Sequence, residues 1–369
     1  MRILLAGTFA GAPGQGGATW AVLQYVLGFE QLGHEVLLVE PASTEPAVLD
    51  YFDKIVDAYG LRGRAALLHG GDRTSGMTRA EVAAGARQAD VLLNLAGVLT
   101  DEELIADVPL RVYVDLDPAF TQVWHSVEGI DMHLDGHHRF VTVGQAVGTA
   151  GCPVPACGVT WIPTVPPVVL ERWPVVEAPP RFGLTTVGNW RSYGSVSYDG
   201  VHYGQKAHSI RGLLGLPGML PGLVVEPALG VDPAEEADLA ALVAAGWRLR
   251  EPESVTPDPE RYRSFVQSST AEIGVAKTGY VVSRCGWFSD RSACYLASGR
   301  PVLAQDTGWL SYLPAGEGLL AFSDTAGAAA AAQEVAGDYE RHCKAARAVA
   351  EEHFDSRRVL TRFLEQVGA

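Results

Sequence analysis

Short aliphatic runs alternate with amphipathic stretches along the whole chain, and glycines or prolines mark most of the breaks between them. Residues 2–6 form a leucine-rich run that reads as a buried strand. A glycine-rich loop, 7–17, leads into a helical pattern over 18–32, where Trp20, Leu23, Val26 and Leu27 recur on one face. Gly33 and His34 close it, and 35–39 reads as a second strand, so this opening predicts a parallel βαβ pair. The same alternation continues with helices over 45–60 and 78–89 and strands over 91–95, 111–114 and 140–143. It restarts with strands over 182–187, 223–226, 247–249 and 272–275 and helices over 233–245 and 259–268. Residues 279–282 read as one more short apolar strand. A polar turn, Ser289-Asp290-Arg291-Ser292, then precedes a helix over 293–298, a stop at Gly299 and a buried strand over 302–304. A strand over 319–322, an alanine-rich helix through 326–332 and a last helix with Tyr339, Ala346, Val349, Ala350 and Phe354 on its apolar line complete the chain. Strands and helices in strict alternation predict an α/β protein with two doubly wound, Rossmann-like parallel sheets.

Prolines set the expected division. Pro153, Pro155, Pro163, Pro166, Pro167, Pro174, Pro179 and Pro180 do not fit inside one regular unit, because each removes a donor and restricts its predecessor. A linker is expected within 163–180, giving domains at 1–165 and 166–345. A chain of 369 residues is long enough for two cores. A formal net charge of −15 argues against a general nucleic-acid binder, while leaving room for a focused basic pocket. The five cysteines show no paired CxxC spacing, which predicts reduced thiols. The chain enters its first strand at once, and that apolar run is too short for a signal peptide or a membrane span. A cytoplasmic protein is expected.

Candidate chemistry gathers where strands end. Asp115 and Asp117 follow the strand over 111–114, the position where open sheets hold reactive groups, and Pro118 ends that strand. Only one of the two is expected to face a cleft, with His125 shortly after as a further candidate. His133 and His137 have the spacing of two ligands on one helix face, but Asp135-Gly136 between them predicts a turn, so no metal site is expected. The first-turn N–H groups near Ser289, Asp290, Arg291 and Ser292 suit a phosphate. Gln305 and Asp306 lie at the end of the neighbouring strand. The loop Gly14-Gln15-Gly16-Gly17 lacks the phasing of a dinucleotide fingerprint.

The run from helix through Ala297-Ser298-Gly299-Arg300-Pro301-Val302 to Asp306-Thr307-Gly308 resembles the donor half of a GT-B glycosyltransferase. The resemblance extends over most of the chain and departs at Cys294, where retaining members usually carry a ribose-binding glutamate. It implies two Rossmann-like domains facing a cleft, with the last helix, 346–369, crossing back onto the first. Gly16 and Gly17 resemble the glycines that let backbone approach the donor, and Arg191 and Lys206 resemble the pair that clamps its diphosphate. Gln305 and Asp306 would then meet the sugar or the acceptor, and Asp117, ahead of Asp115 and His125, would serve as base if the enzyme inverts. The implied activity is metal-independent, cofactor-free transfer from a nucleotide-diphosphate sugar to a small-molecule acceptor, such as a natural product. No nucleic-acid partner is implied, and a homodimer is left open. A non-catalytic nucleotide- or sugar-phosphate-binding protein and a sugar-nucleotide epimerase are the alternatives.

Overall fold

The computed structural model describes residues 1–177 and 182–369. Its first sheet comprises β1 (Arg2–Ala6), β2 (Glu35–Pro41), β3 (Ala65–Leu68), β4 (Thr74–Gly76), β5 (Val91–Leu95), β6 (Leu110–Asp115), β7 (Arg139–Thr142) and β8 (Trp161–Pro163). The strand order is β4-β3-β2-β1-β5-β6-β7-β8, parallel except for the β3–β4 pair. Along β1, Ile3 and Leu5 face one core and Leu4 and Ala6 the other, each essentially without exposure. Covering both faces of a parallel sheet is what the aliphatic runs require. The helices that do so are α1 (Gly16–Gln31), α2 (Pro46–Ala58), α3 (Arg79–Arg87), α4 (Glu102–Ile105) and α5 (Phe120–Ser126). Thr78 and Glu81 cap the start of α3 reciprocally.

The second half holds β9 (Gly183–Asn189), a hairpin of β10 (Val196–Tyr198) and β11 (Val201–Tyr203), β12 (Val224–Gly230), β13 (Ala271–Gly274), β14 (Val302–Gln305) and β15 (Leu319–Phe322). Its main sheet is wholly parallel in the order β12-β9-β13-β14-β15. Around it lie α6 (Lys206–Gly212), α7 (Glu236–Ala244), α8 (Pro252–Val255), α9 (Pro259–Ser268), α10 (Thr278–Ser283), α11 (Asp290–Ala297), α12 (Thr325–Gly337), α13 (Tyr339–His353) and α14 (Ser356–Val367).

Three details differ from the sequence reading. The apolar run expected as a strand at 279–282 is helix α10, where Gly279 lies against the Phe120 ring and a Cβ would come within 2.6 Å of it. The strand expected at 247–249 is reduced to a single bridge between Ala228 and Arg250. The final crossing comes after His353, later than 346: Val168 brackets Phe354 and Ser356 through two backbone hydrogen bonds, and α14 then packs on α1. There Gly28 leaves room for Leu360, and Phe29 meets Phe363 edge-on. The expected linker, 163–180, lies partly outside the described residues; up to Glu177 it contains the short helical turn Leu170–Arg172.

Candidate functional site

The C-terminal ends of β1 and β6 face those of β9 and β13 across a cleft, the place where parallel sheets present ligand-binding groups. The loop after β1 is set by Glu40, a buried side chain at the end of β2. Its carboxylate accepts hydrogen bonds from the N–H groups of Phe9 (2.9 Å), Ala10 (2.8 Å) and Gly11 (2.8 Å). A phosphate placed in that loop would meet amides already taken by a carboxylate. Gly16 is a glycine for a different reason from donor approach: its Cα lies against the Asp258 carbonyl, and its N–H donates to Thr256 across the cleft (3.0 Å). Trp20 adds a bond from its indole N–H to the Pro259 carbonyl (2.7 Å). Gly17 does line the cleft, with Tyr262 against it.

Cations concentrate on the opposite wall. Asp117, Gly188, Lys206, Lys277, Ser289 and Arg291 border one open space of about 760 Å³. Lys206 is only 8% exposed, yet among the described residues its ammonium makes no ion pair and no hydrogen bond. Gly188 accommodates it, since a Cβ there would come within 2.6 Å of Nζ. Burial lowers the Lys206 pKa well below its ordinary value, and the nearby Arg291 charge lowers it further. Arg291 pairs with Glu272, whose side chain is fully buried, and donates to the Val187 carbonyl (2.8 Å); its Nη2 is buried without a partner. Such uncompensated donors are costly unless an anion completes them.

Ser289 leaves the first turn of α11 without a side-chain cap. Asp290, exposed to the cleft but closely surrounded by protein, lies beside the N–H groups of that turn. Burial raises its carboxyl pKa, and Arg291 and the turn's N–H groups oppose the rise. Asp290 borders the cationic space, a smaller space beside Gly17 and Tyr262, and an apolar cavity next to α1.

The other expected residues are held by neighbours or lie outside this lining. Asp115 is fully buried and accepts from Thr121 (2.8 Å), Gln122 (2.8 Å), Thr142 (2.7 Å) and the Asp117 N–H (3.0 Å), which fixes it as a brace at the end of β6. Asp117 reaches the cleft, but its carboxylate pairs with Lys277 (2.9 Å) and accepts from the hydroxyls of Tyr193 and Tyr280. His125 sits on α5 away from this lining, with Nδ1 buried and unpartnered. Arg191 turns away from the cleft to pair with Glu235. The Ser292 hydroxyl is buried against Gly274, leaving only its backbone N–H near the cleft. Gln305 accepts from the Ala276 N–H (3.1 Å), and Asp306 is held by Arg284 (3.1 Å) and the Gly308 N–H (2.7 Å). Both brace strand ends. His133 and His137 share no helix, and His137 bonds Asn94 instead (3.1 Å).

Lys277 was missed by the sequence reading. It follows β13 directly, so the same strand-end rule that selected Asp117 applies to it. Its ammonium lies 4.2 Å from the centre of the Tyr193 ring and 5.1 Å from that of Phe120. Tyr262 and Trp287, which stacks on Tyr280 at 4.4 Å, carry no sequence signal that separates them from core aromatics.

No protein-family model matches the chain, and no curated protein does. Solved structures do. A sucrose-phosphate synthase from Thermosynechococcus elongatus is similar over 99% of this chain and 98% of its own, at 12% identity and a TM-score of 0.57. An α-glucosyltransferase in complex with UDP and a 13-mer DNA containing an HMU base matches over the full length of both chains, at 12% identity and a TM-score of 0.62. Anabaena HepE matches over 100% of this chain and 99–100% of its own in its complexes with UDP-glucose and with UDP and glucose, at 11% identity and a TM-score of 0.60 in the UDP-glucose form. At these identities the likeness is one of architecture, and it shows that the chain has the GT-B fold: two parallel α/β units facing a cleft.

Proposed function

We propose that this protein is a glycosyltransferase that moves a sugar from a nucleotide-diphosphate sugar to a small-molecule acceptor without a metal. The observation that carries this reading is Lys206, a buried and unpaired cation beside the free Nη2 of Arg291 in the cleft between two parallel sheets. A diphosphate supplies the counter-charge Lys206 lacks and an acceptor for the unpartnered Arg291 N–H. As the glycosidic bond to that diphosphate breaks, Lys206, Arg291 and the first turn of α11 stabilise the leaving-group charge, the role a metal ion would otherwise fill. The UDP and UDP-glucose complexes of the similar folds make uridine nucleotides the first donors to test.

The acceptor is set apart from DNA by charge. The α-glucosyltransferase was solved with DNA, so the fold does not exclude such a partner. The net charge of −15 here favours a small molecule. Among the described residues no helix is long and apolar enough to cross a membrane, and all five cysteines are free thiols, which supports a reducing, cytoplasmic setting. A binding protein without transfer is the second reading, favoured by the saturation of Asp115 and the engagement of Asp117.

Calorimetry and product analysis with UDP-, TDP- and GDP-glucose in excess EDTA test the proposal. Binding with release of nucleoside diphosphate supports it. Binding without any turnover favours the second reading, turnover that requires added Mg²⁺ or Mn²⁺ overturns the metal-free mechanism, and no binding at all removes the donor site.

A further inference from the structure

Beside the cationic cleft lies a cavity of a different character. Trp20, Tyr25, Tyr262, Trp287 and Phe288 line one side of it, around an enclosed volume of about 110 Å³ that opens toward the cleft. Some polar groups nearby are already committed: the Trp20 N–H to Pro259, and Gln24 to the Val169 N–H (2.7 Å) and the Cys294 thiol (3.6 Å). Of the others, two bear on a ligand. The Tyr25 hydroxyl is buried without a partner, and the Asp290 carboxylate stands at the boundary with the cationic cleft. Among the described residues no lysine, arginine or histidine lines the cavity.

We propose that this cavity is the acceptor subsite, that it takes an uncharged aromatic alcohol or phenol, and that Asp290 is the base for the acceptor hydroxyl. The proposal rests on the reading of the adjoining cleft as a sugar-nucleotide site. Five aromatic side chains match a flat apolar body, and the absence of a lining cation disfavours an anionic one. Tyr25 provides one hydrogen bond deep in the cavity. Asp290 is placed where a hydroxyl from the cavity meets a sugar carried on the diphosphate. The acceptor oxygen bonds to the anomeric carbon while its proton passes to Asp290. The bond from that carbon to the diphosphate oxygen breaks, and the electron pair leaves with the nucleoside diphosphate. Asp115 and Asp117, whose oxygens are engaged by neighbours, are then structural.

The test begins with UDP binding, measured by calorimetry on the full chain; its absence removes the donor reading and this proposal with it. With UDP bound, 2-naphthol is titrated into the wild type, Ala21→Phe and the milder Ala21→Leu, since Ala21 borders the cavity from α1. The expected result is saturable binding to the wild type that weakens at least tenfold in Ala21→Phe and less in Ala21→Leu, with UDP affinity within twofold in both. No binding to the UDP complex, or equal binding to all three proteins, overturns the subsite while leaving the donor reading intact. Transfer is then followed from UDP-, TDP- and GDP-glucose. Formation of a naphthyl glycoside that falls at least a hundredfold in kcat for Asp290→Asn, with 2-naphthol affinity retained, supports the base. An Asp290→Asn enzyme as fast as wild type overturns the base assignment, and transfer to free glucose but never to 2-naphthol overturns the acceptor class.

Discussion

Replacing Lys206 by methionine keeps the unbranched apolar stem and removes the ammonium group, which makes it a useful probe of the cleft. In the free protein the ammonium is buried, unpaired and close to Arg291. Its loss removes no ion pair or hydrogen bond, and burial and the Arg291 charge outweigh the attraction of Glu272 and Asp290, so the variant should be at least as stable as the wild type. The pH dependence has a definite sign. Because the folded pKa lies below the unfolded one, the unfolded chain binds more protons between the two values, and wild-type stability rises as pH rises through that window. Lys206→Met should flatten this rise. With a diphosphate bound, one charge-assisted hydrogen bond contributes about 1.5–3 kcal/mol. At about 1.4 kcal/mol per tenfold, UDP affinity should fall roughly ten- to a hundredfold. Calorimetry with UDP and with uridine at one ionic strength separates charge from fit, since uridine has no phosphate and should bind both proteins alike. Unchanged UDP affinity, or equal losses for UDP and uridine, would refute the reasoning.

Three other substitutions divide the bracing groups from the binding groups. Arg191→Ala should leave UDP affinity within twofold, because its guanidinium pairs with Glu235 outside the cleft; a tenfold loss by calorimetry would return Arg191 to the donor site. Asp117→Asn breaks a part-buried pair with Lys277, whose side chains are 27% and 16% exposed, and should lower stability by about 1–3 kcal/mol in urea unfolding. A variant of unchanged stability that has lost all turnover would instead make Asp117 the base. Arg291→Ala leaves the Glu272 carboxylate buried without its partner, so it should lower stability by about 3–5 kcal/mol as well as weaken UDP binding. Thermal unfolding that shows a shift smaller than that of Asp117→Asn would contradict this ranking.

The parallel sheets were legible because strands buried on both faces must be largely aliphatic, as Ile3–Ala6 of β1, Val91–Leu93 of β5 and Val302–Ala304 of β14 are. Periodicity could not distinguish helix α10 from a strand. A run as short as Gly-Tyr-Val-Val fits both, and its conformation is set by packing of Gly279 on Phe120 and of Tyr280 beneath Trp287. The hairpin of β10 and β11, in a stretch of tyrosine, glycine and serine, gave too little alternation to be read. In the site, Lys206 was reachable from its place after the first strand of the second unit. Arg191 was misleading because its partner, Glu235, is 44 residues away, and such pairing is decided by tertiary structure. Gly16 carried the right signal, close backbone approach, but the approaching group is the other unit's Asp258 carbonyl. In sequence, only one of the carboxylates at 115 and 117 was expected to face the cleft, with Asp117 put first. Only their hydrogen-bond partners show that one is buried and saturated and the other tied to Lys277.

The central claim is that a nucleoside diphosphate is held by Lys206, Arg291 and the start of α11, and that the glycine loop after β1 does not bind it. Backbone amide NMR during a UDP titration in EDTA tests this directly. The account predicts saturable shifts at Asp290, Arg291 and Ser292, lost in Lys206→Met at the same UDP concentration, with Phe9, Ala10 and Gly11 unmoved on Glu40. Shifts centred on Phe9–Gly11, or a response at α11 that survives Lys206→Met undiminished, would contradict it.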